Sequence, residues 1–145
     1  LRTHDYLFIR NFQPDRYPAG DPQKYDEPGQ LGPMHGGYHD IDNSPSLQFL
    51  IENRNDPEIR PFFLMAVDKR PGEELFDIKR DPGCLRNLAG DPAFEPVRAK
   101  LAKQLDDYLV MTGDARAKGN GDIWESYKRY SPIRDFPEPP DELPG

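Results

Sequence analysis

Residues 70–82 constrain the fold most, because a short strand, a turn and the approach to a helix follow one another there without a gap. The segment reads RPGEELFDIKRDP, and Asn-Leu-Ala follows it at 87–89. Its apolar residues predict a strand over 73–78. Asp81-Pro82 then predicts a turn after the strand. The sequence therefore predicts a small α+β unit around this strand.

The strongest helix signal comes directly afterwards. Asp91 is a capping residue, Pro92 fits the first helical position, and Gly113 is a typical stop. Between them, apolar residues recur every three or four positions and predict one buried stripe. The stripe consists of Phe94, Val97, Leu101, Leu105, Tyr108 and Leu109.

Two further helices are predicted in the middle of the chain. Ser44 can cap the first of them, with Pro45 at its first position. In the second, Pro61 conflicts with a regular first turn, so that helix is expected to begin at Arg60 or to be kinked.

The N-terminal third combines one strand with a long connection. Residues 6–10 are continuously apolar up to Arg10, which predicts a central strand covered on both sides. Residues 13–43 read as a long loop rich in Pro, Gly, Asp and Tyr. A loop of that length is uncommon in a compact domain unless it is functional or packs on something else.

Composition and charge exclude several classes of protein. The chain of 145 residues has room for one domain, only 35% of it is apolar, and it holds 12 glycines and 17 prolines. A net charge of −7 with scattered Lys and Arg argues against nucleic-acid binding. No apolar run approaches the ~18 residues of a membrane span. We therefore expect neither a nucleic-acid nor a membrane partner.

The tail is expected to be a separate segment. We divide the chain into a subdomain over 1–113 and an extended tail over 114–145, rich in Pro and carrying aromatic residues. Such a tail cannot build a core of its own, but it can bury aromatic anchors on another surface. Its anchors would be Trp124, Tyr127, Tyr130 and Phe136.

Residues 35–42 hold the candidate site, with sequence HGGYHDID. Three interpretations stay open: a metal-binding loop, a polar loop bordering a ligand pocket, and a solvated loop held by Asx-type turns. The His-x-x-x-His spacing joins two imidazoles only on a helix, and the paired glycines argue against a helix. His35, His39 and Asp40 are the candidate substrate-binding residues at a pocket rim.

Other reactive side chains have simpler structural interpretations. Cys84 has no local His to activate it, so a small half-buried residue in a turn is favoured over a nucleophile. Glu73 and Glu74 point to opposite faces of a strand and cannot flank one bond. We expect one of them at an edge and the other paired with Arg70 or Arg80.

Five motifs together resemble the C-terminal region of the type I sulfatases. Residues 2–10 look like that family's "Val-Arg-Thr-x-x-Tyr-Lys-Tyr-Ile" strand, and 39–46 resemble "Gly-Asp-Ile-Asp-x-Ser-Pro" of a subgroup that includes the heparan N-sulfatase (sulfamidase) type. Residues 69–77 match its "Lys-Arg-Pro-x-Glu-Glu-Leu-Tyr-Asp". The segments 91–94 and 108–114 follow in the family order. The resemblance covers about residues 2–132.

The resemblance implies a fold for this chain and an activity for the larger enzyme to which it would belong. It implies the C-terminal subdomain of the alkaline-phosphatase-like sulfatase fold, a small antiparallel sheet with a long C-terminal helix packed on it. The parent would be a periplasmic or secreted hydrolase of sulfate esters or N-sulfates. It would use Ca²⁺ and a formylglycine made from Cys or Ser in Cys/Ser-x-Pro-x-Arg. The motif is missing here, since Cys84, Ser44 and Ser131 all lack the required Pro and Arg spacing.

The expected role is therefore structural. Leu1 is not an initiating Met, so we expect a fragment that supports the catalytic domain in cis and shapes the rim of the substrate pocket, without catalysis of its own. In isolation it could self-associate. The alternative is a free-standing protein-interaction module descended from a sulfatase.

Overall fold

The computed structural model describes residues 1–128, in which three strands are followed by two helices, a fourth strand and a long helix. Tyr130, Phe136 and Ser131 lie outside the described residues. In chain order the elements are β1 (Tyr6–Arg10), β2 (Gln23–Glu27), β3 (Gln30–Met34), α1 (Pro45–Glu52), α2 (Arg60–Val67), β4 (Glu73–Asp77) and α3 (Glu95–Thr112).

The chain divides into two compact units. The first joins Leu1–Pro14 to Pro71–Lys128, and the described part of the second is Asp15–Arg70. Both contain α and β elements with antiparallel strand pairs, as predicted, although each sheet has only two strands. Among the described residues, no helix combines the length and apolarity needed to cross a membrane.

In the first unit, β1 and β4 form an antiparallel ribbon. Phe8 lies opposite Leu75, and both side chains are fully buried. The predicted central position of β1 is wrong, since β4 is its one partner strand among the described elements. The core consists of Phe8, Leu75, Leu88, Leu101 and Ala102.

The helix α3 supplies the other side of that core. The capping predictions are confirmed: the Asp91 side chain accepts from the backbone of Ala93, and Gly113 ends the helix with φ 71°. The first turn, Pro92–Phe94, is a 3₁₀ turn. Most of the predicted stripe packs inward. Tyr108, however, is 57% exposed, so the prediction that it belongs to the core is wrong.

Residues 115–126, the described beginning of the predicted tail, form short helical turns. Two 3₁₀ segments, Ala115–Lys118 and Gly121–Ser126, follow the helix. The Arg116 guanidinium lies 5.3 Å from the centroid of the Phe12 ring, and this cation–π contact joins the segment to the N-terminal part of the same unit.

The second unit contains a hairpin that the sequence did not predict. β2 pairs with β3 inside the supposed loop 13–43, through an irregular register. The turn contains Gly29 at φ 78°, directly after Pro28, a pair typical of a type II turn. Because β2 carries only one apolar residue, it lacks the alternation by which a strand is recognised.

Two short helices complete the second unit. Ser44 caps α1 by accepting from the N–H of Leu47 at 3.2 Å, and α2 begins at Arg60, as predicted. The core of this unit consists of Ala19, Tyr38, Phe63 and Val67, with partly buried side chains from both helices around it.

Candidate functional site

A cavity of about 260 Å³ in the second unit is the candidate functional site. Its walls combine aromatic rings with guanidinium groups, a mixture typical of small-molecule sites, in which a few polar groups fix an apolar-walled ligand. The lining includes Tyr17, His35, Tyr38, Arg54, Arg60 and Phe63.

Backbone hydrogen bonds fix the loop that carries two of these side chains. The N–H groups of Gly37 and Tyr38 donate to the carbonyls of Pro22 and Asp21, at 3.1 and 3.0 Å. His35 and Tyr38 adopt left-handed backbone conformations, with φ 63° and 56°. Such conformations persist in non-glycine residues only where the surrounding structure holds them. The loop therefore holds the side chains of His35 and Tyr38 in fixed positions.

The imidazole of His35 is packed between aromatic rings. Its Nδ1 is 2.8 Å from the hydroxyl oxygen of Tyr38, within hydrogen-bond distance. Its ring stacks on Tyr38 with centroids 6.1 Å apart and meets Phe63 edge-on at 5.6 Å. These contacts hold the imidazole in one orientation on the cavity wall.

Electrostatics keep both ring systems neutral near pH 7. Burial lowers the pKa of His35 below its usual range, and the nearby charge of Arg54 adds to this effect. Burial also raises the pKa of Tyr38, with Tyr17 and Asp68 contributing in the same direction. The formal charges at the cavity are then those of two arginines and one aspartate.

The two arginines retain free hydrogen-bonding capacity. Arg54 is half-buried, and one Nη donates to the Ile51 carbonyl at 2.7 Å, which leaves the rest of its guanidinium fork available. Arg60 is exposed at the mouth, and no other described residue lies within hydrogen-bond or ion-pair distance of its guanidinium. The Asp68 Oδ1 accepts a hydrogen bond from the backbone N–H of Lys69 at 2.8 Å.

One of the three predicted site residues lines this cavity. His35 does, whereas His39 and Asp40 are exposed and lie outside the lining. Among residues 1–128, no group of three or more His, Cys, Asp or Glu side chains is placed to hold a metal ion. The loop therefore borders a pocket through its first histidine.

Sequence reasoning missed the two arginines. Arg54 follows α1 and Arg60 begins α2, and neither position has a local motif. The described lining offers no Ser, Thr or Cys nucleophile, and the Tyr38 hydroxyl is neutral and occupied. The arrangement of the described lining residues suits the binding of a small molecule.

The paired glutamates are structural, but their predicted partners are wrong. Glu73 pairs with Arg10 at 3.0 Å and also with Arg98, while buried Glu74 accepts from Asn11 Nδ2 at 2.9 Å. The predicted partners are occupied elsewhere, because Arg70 donates to a backbone carbonyl of its own unit. The long-range pairs arise from the packing of α3 beside the ribbon, which no local pattern encodes.

Cys84 behaves as the structural interpretation expected. It is half-buried in the turn after β4, with φ 53°, and its N–H donates to the Asp81 carbonyl at 3.0 Å. No hydrogen bond or ion pair connects it to a base within the described chain. It is therefore part of the turn.

A larger groove in the first unit is a weaker candidate. It measures about 460 Å³ and lies between β1 and α3. Its polar side chains, such as Asp5 and Lys100, carry opposite charges, and Asp5 is already paired with Lys79 at 2.6 Å. The second-unit cavity has the more convergent set of free polar groups.

Protonation of His35 should make the stability of the chain pH-dependent. Because its pKa is lower in the folded chain, the unfolded chain binds more protons just below pH 6.5, so stability is fully present above that value and falls as pH decreases. We expect the melting temperature to drop between pH 7.5 and 5.5, and His35→Gln to reduce this drop.

Circular dichroism melts at matched pH values would measure the effect. The groups facing His35 are Arg54 and Tyr38, with Asp68 and Arg60 on the same cavity. Carboxylates titrate mainly below this window. His39→Gln is the matched control, and an equal change in both variants would contradict the prediction.

The chain has a small α+β fold, and sequence comparison relates it to the sulfatases. The chain is 31% identical over 118 residues to the ulvan-active sulfatase of Formosa agariphila, a match covering 79% of this chain and 17% of that protein. It is 46% identical over 43 residues to the Delta 4,5-hexuronate-2-O-sulfatase of Bacteroides thetaiotaomicron, covering 30% of this chain and 9% of that protein.

The chain is therefore related to sulfatases and spans only a small part of the length of these relatives. The predicted sulfatase relationship is confirmed. Neither relative is named as an N-sulfatase, so the sulfamidase-like subgroup stays a prediction. No family model matches the chain, and no solved structure matches it.

Proposed function

We propose that the chain is the C-terminal subdomain of a formylglycine-dependent sulfatase of the heparan N-sulfatase-like subgroup. It supports the catalytic domain in cis and forms part of the rim of the substrate pocket. The observation that carries this proposal is the 31% identity that extends over 79% of this chain but only 17% of a sulfatase. The parent would be periplasmic or secreted.

Catalysis would belong to residues outside this chain. Cys84 is followed by Leu85 and Arg86, without the Pro and Arg spacing of a formylglycine site. The described acidic and histidine side chains do not gather into a metal site. These residues do not fit formylglycine or calcium, so both groups would be held by the parent's catalytic domain.

An exposed apolar face in the first unit supports docking against such a domain. Val110 and Met111, in the last turn of α3, are 68% and 74% exposed, and Tyr108 precedes them. A cluster of this kind is typical of a surface that another protein surface covers. The same face would allow the isolated chain to self-associate.

The alternative proposal is a free-standing interaction module, which the same exposed face also favours. In that case the relationship to sulfatases would reflect descent alone. The two proposals differ in what the gene encodes, because only the first requires a catalytic domain in the same polypeptide.

Reading the gene in frame upstream of Leu1 tests the proposal. We expect an Asp-Asp pair followed by Cys/Ser-x-Pro-x-Arg within several hundred codons. A start codon immediately before Leu1 would overturn the sulfatase proposal and favour the interaction module.

In the enzyme so encoded, the two neighbouring histidines should differ in effect. Because His35 lines the cavity, His35→Gln should raise KM about threefold to tenfold with little change in kcat. His39→Gln, outside the cavity, should change KM less. Steady-state kinetics on the native substrate would measure both, and a larger rise for His39→Gln would show that the loop borders the substrate differently.

A further inference from the structure

We propose that Asn120 is a site of spontaneous deamidation, at which the backbone nitrogen of Gly121 attacks the side chain and converts asparagine into aspartate or isoaspartate. The site lies where the first 3₁₀ segment after α3 has ended and the second begins. Water is the only co-reactant. The inference rests on the sequence and geometry of this chain and is independent of the proposed function.

The carboxamide of Asn120 is available for attack. The residue is exposed, its side chain does not cap the 3₁₀ segment that follows, and no described residue forms a hydrogen bond with it. Its backbone has φ −113° and ψ 38°, so attack requires a rotation about ψ. That rotation moves the Asn120 carbonyl, which accepts only a long hydrogen bond from the N–H of Ile123, at 3.4 Å. The local structure therefore opposes the reaction only weakly.

The attacking nitrogen is also unpaired. The N–H of Gly121 lies at the first position of its 3₁₀ segment, where an N–H has no partner within the helix. No carbonyl or side chain in residues 1–128 accepts from it. Because glycine has no Cβ, nothing on the residue shields the nitrogen or restricts its approach to the side chain of Asn120.

The chemistry proceeds in two balanced steps. A base removes the N–H proton of Gly121, and the nitrogen forms a bond to Cγ of Asn120. The Cγ–Nδ2 bond breaks, and Nδ2 leaves with a proton as ammonia, which closes a succinimide ring. Water then opens this ring, giving aspartate when it attacks Cγ and isoaspartate when it attacks the main-chain carbonyl carbon. Nothing is oxidised or reduced, and the chain gains one negative charge.

The base comes from the solvent. The carboxylate of Asp114 is paired with Arg116 at 2.6 Å, and that of Asp122 accepts from Gln13 at 2.9 Å. Carboxylates are also weak bases, since they titrate far below pH 7. Hydroxide or a buffer base therefore removes the proton, and the rate should rise with pH.

The other asparagines each lack at least one of these conditions. None of them precedes a glycine. Hydrogen bonds to backbone carbonyls hold the amide groups of Asn11, Asn53 and Asn87. Asn43 and Asn55 are exposed, but the serine and the aspartate that follow them carry a Cβ that hinders the attacking nitrogen. Asn120 should therefore react first.

The two products differ in what they do to the fold. Aspartate keeps the main chain intact and is itself a favourable residue at a helix N-cap. Isoaspartate lengthens the main chain by one atom directly before Gly121. Because Asp122 accepts from Gln13 just beyond this point, isoaspartate should displace that contact. Amide NMR of the separated products should show a shifted Gln13 signal in the isoaspartate form.

Two glycine variants isolate the role of the attacking residue. In Gly121→Ala the nearest atom to the added Cβ is Cγ of Arg116, at 3.1 Å, which belongs to a side chain that can move. This variant should slow the conversion at least about tenfold, equivalent to about 1.4 kcal/mol of activation free energy. Gly90→Ala, whose added Cβ has nothing within 4 Å, is the matched control and should leave the rate unchanged.

Ageing of the full 145-residue chain at pH 8.5 and at pH 6.0, followed by tryptic mapping, would test the proposal. Peptide 119–128 contains the chain's one tryptophan, so its absorbance identifies it. We expect this peptide to yield both aspartate and isoaspartate, which electron-transfer fragmentation distinguishes, and to do so faster at pH 8.5. Conversion no faster than at Asn43 and Asn55, an equal rate in Gly121→Ala, or aspartate as the sole product would each overturn the proposal.

Discussion

Gly37→Ala is expected to destabilise the chain by roughly 2–4 kcal/mol and to distort the second-unit cavity. A Cβ at this position would collide with the carbonyl oxygen of Asp21 and lie 3.0 Å from that of Gln23. Both obstacles are backbone atoms, which cannot move aside as the end of a flexible side chain could. The substitution must therefore push the loop away from the segment it is bonded to.

The loss would extend to the site because the same loop carries His35 and Tyr38. The N–H of Tyr38 donates to the Asp21 carbonyl at 3.0 Å, and its side chain is 3% exposed in the core of the second unit. Moving the loop breaks this hydrogen bond and opens the core beneath it. Stability and the shape of the cavity should therefore be lost together.

Urea denaturation and hydrogen exchange of the 35–41 segment would measure the effect. Gly90→Ala is the matched control, since nothing lies within 4 Å of its added Cβ and its φ is not left-handed. We expect the control to stay within about 1 kcal/mol of the parent chain. Equal unfolding midpoints for the two variants would show that the loop moves to accommodate the added Cβ without a loss of stability.

Helix ends were predicted correctly because their signals are local. Ser44 caps α1, Arg60 begins α2, and Gly113 ends α3 with a left-handed backbone. Each of these features depends on residues within one turn of the helix. A sequence pattern of that range contains the information that the structure uses.

Strand partners and the limits of the core could not be predicted in the same way. β1 was expected at the centre of a sheet, yet it forms a two-stranded ribbon in which Phe8 is fully buried and its neighbours only partly. Tyr108 has the right spacing for the stripe of α3 but extends beyond what β1 and β4 cover. Burial depends on which elements meet, and that is decided by distant parts of the chain.

The candidate site was likewise predicted only where its signal in the sequence is local. His35 was found because its loop has an unusual run of His, Gly, Tyr and Asp. Arg54 and Arg60 were missed because they reach the cavity from the end of one helix and the start of another. Their convergence with His35 comes from packing around Phe63 and Val67, and no spacing in the sequence encodes it.

The motif Asn-Leu-Ala at 87–89 has a physical explanation that leads to the second large effect. Asn87 Oδ1 accepts from the N–H groups of Leu75 and Ala89, both at 2.9 Å, and its Nδ2 donates to the Glu73 carbonyl at 3.3 Å. The N–H of Leu88 donates to the Leu75 carbonyl at 2.8 Å. The motif therefore supplies hydrogen-bond partners for backbone groups at the outer edge of β4, where a third strand would otherwise pair.

Asn87→Ala is accordingly expected to lower the free energy of unfolding by roughly 2–3 kcal/mol. Leu75 is fully buried, so its N–H would lose its partner where water cannot replace it. Urea denaturation followed by circular dichroism would measure the loss. Asn120→Ala is the control, because that side chain makes no capping hydrogen bond, and an equal change in both variants would contradict the prediction.

Asn87→Asp separates the acceptor from the donor of this side chain. A carboxylate can still accept from the N–H groups of Leu75 and Ala89, but it has nothing to donate to the Glu73 carbonyl. We expect a loss between that of Asn120→Ala and that of Asn87→Ala. If Asn87→Asp were as damaging as Asn87→Ala, the donor to Glu73 would be the essential contact, and satisfying the buried N–H of Leu75 would not explain why asparagine occupies this position.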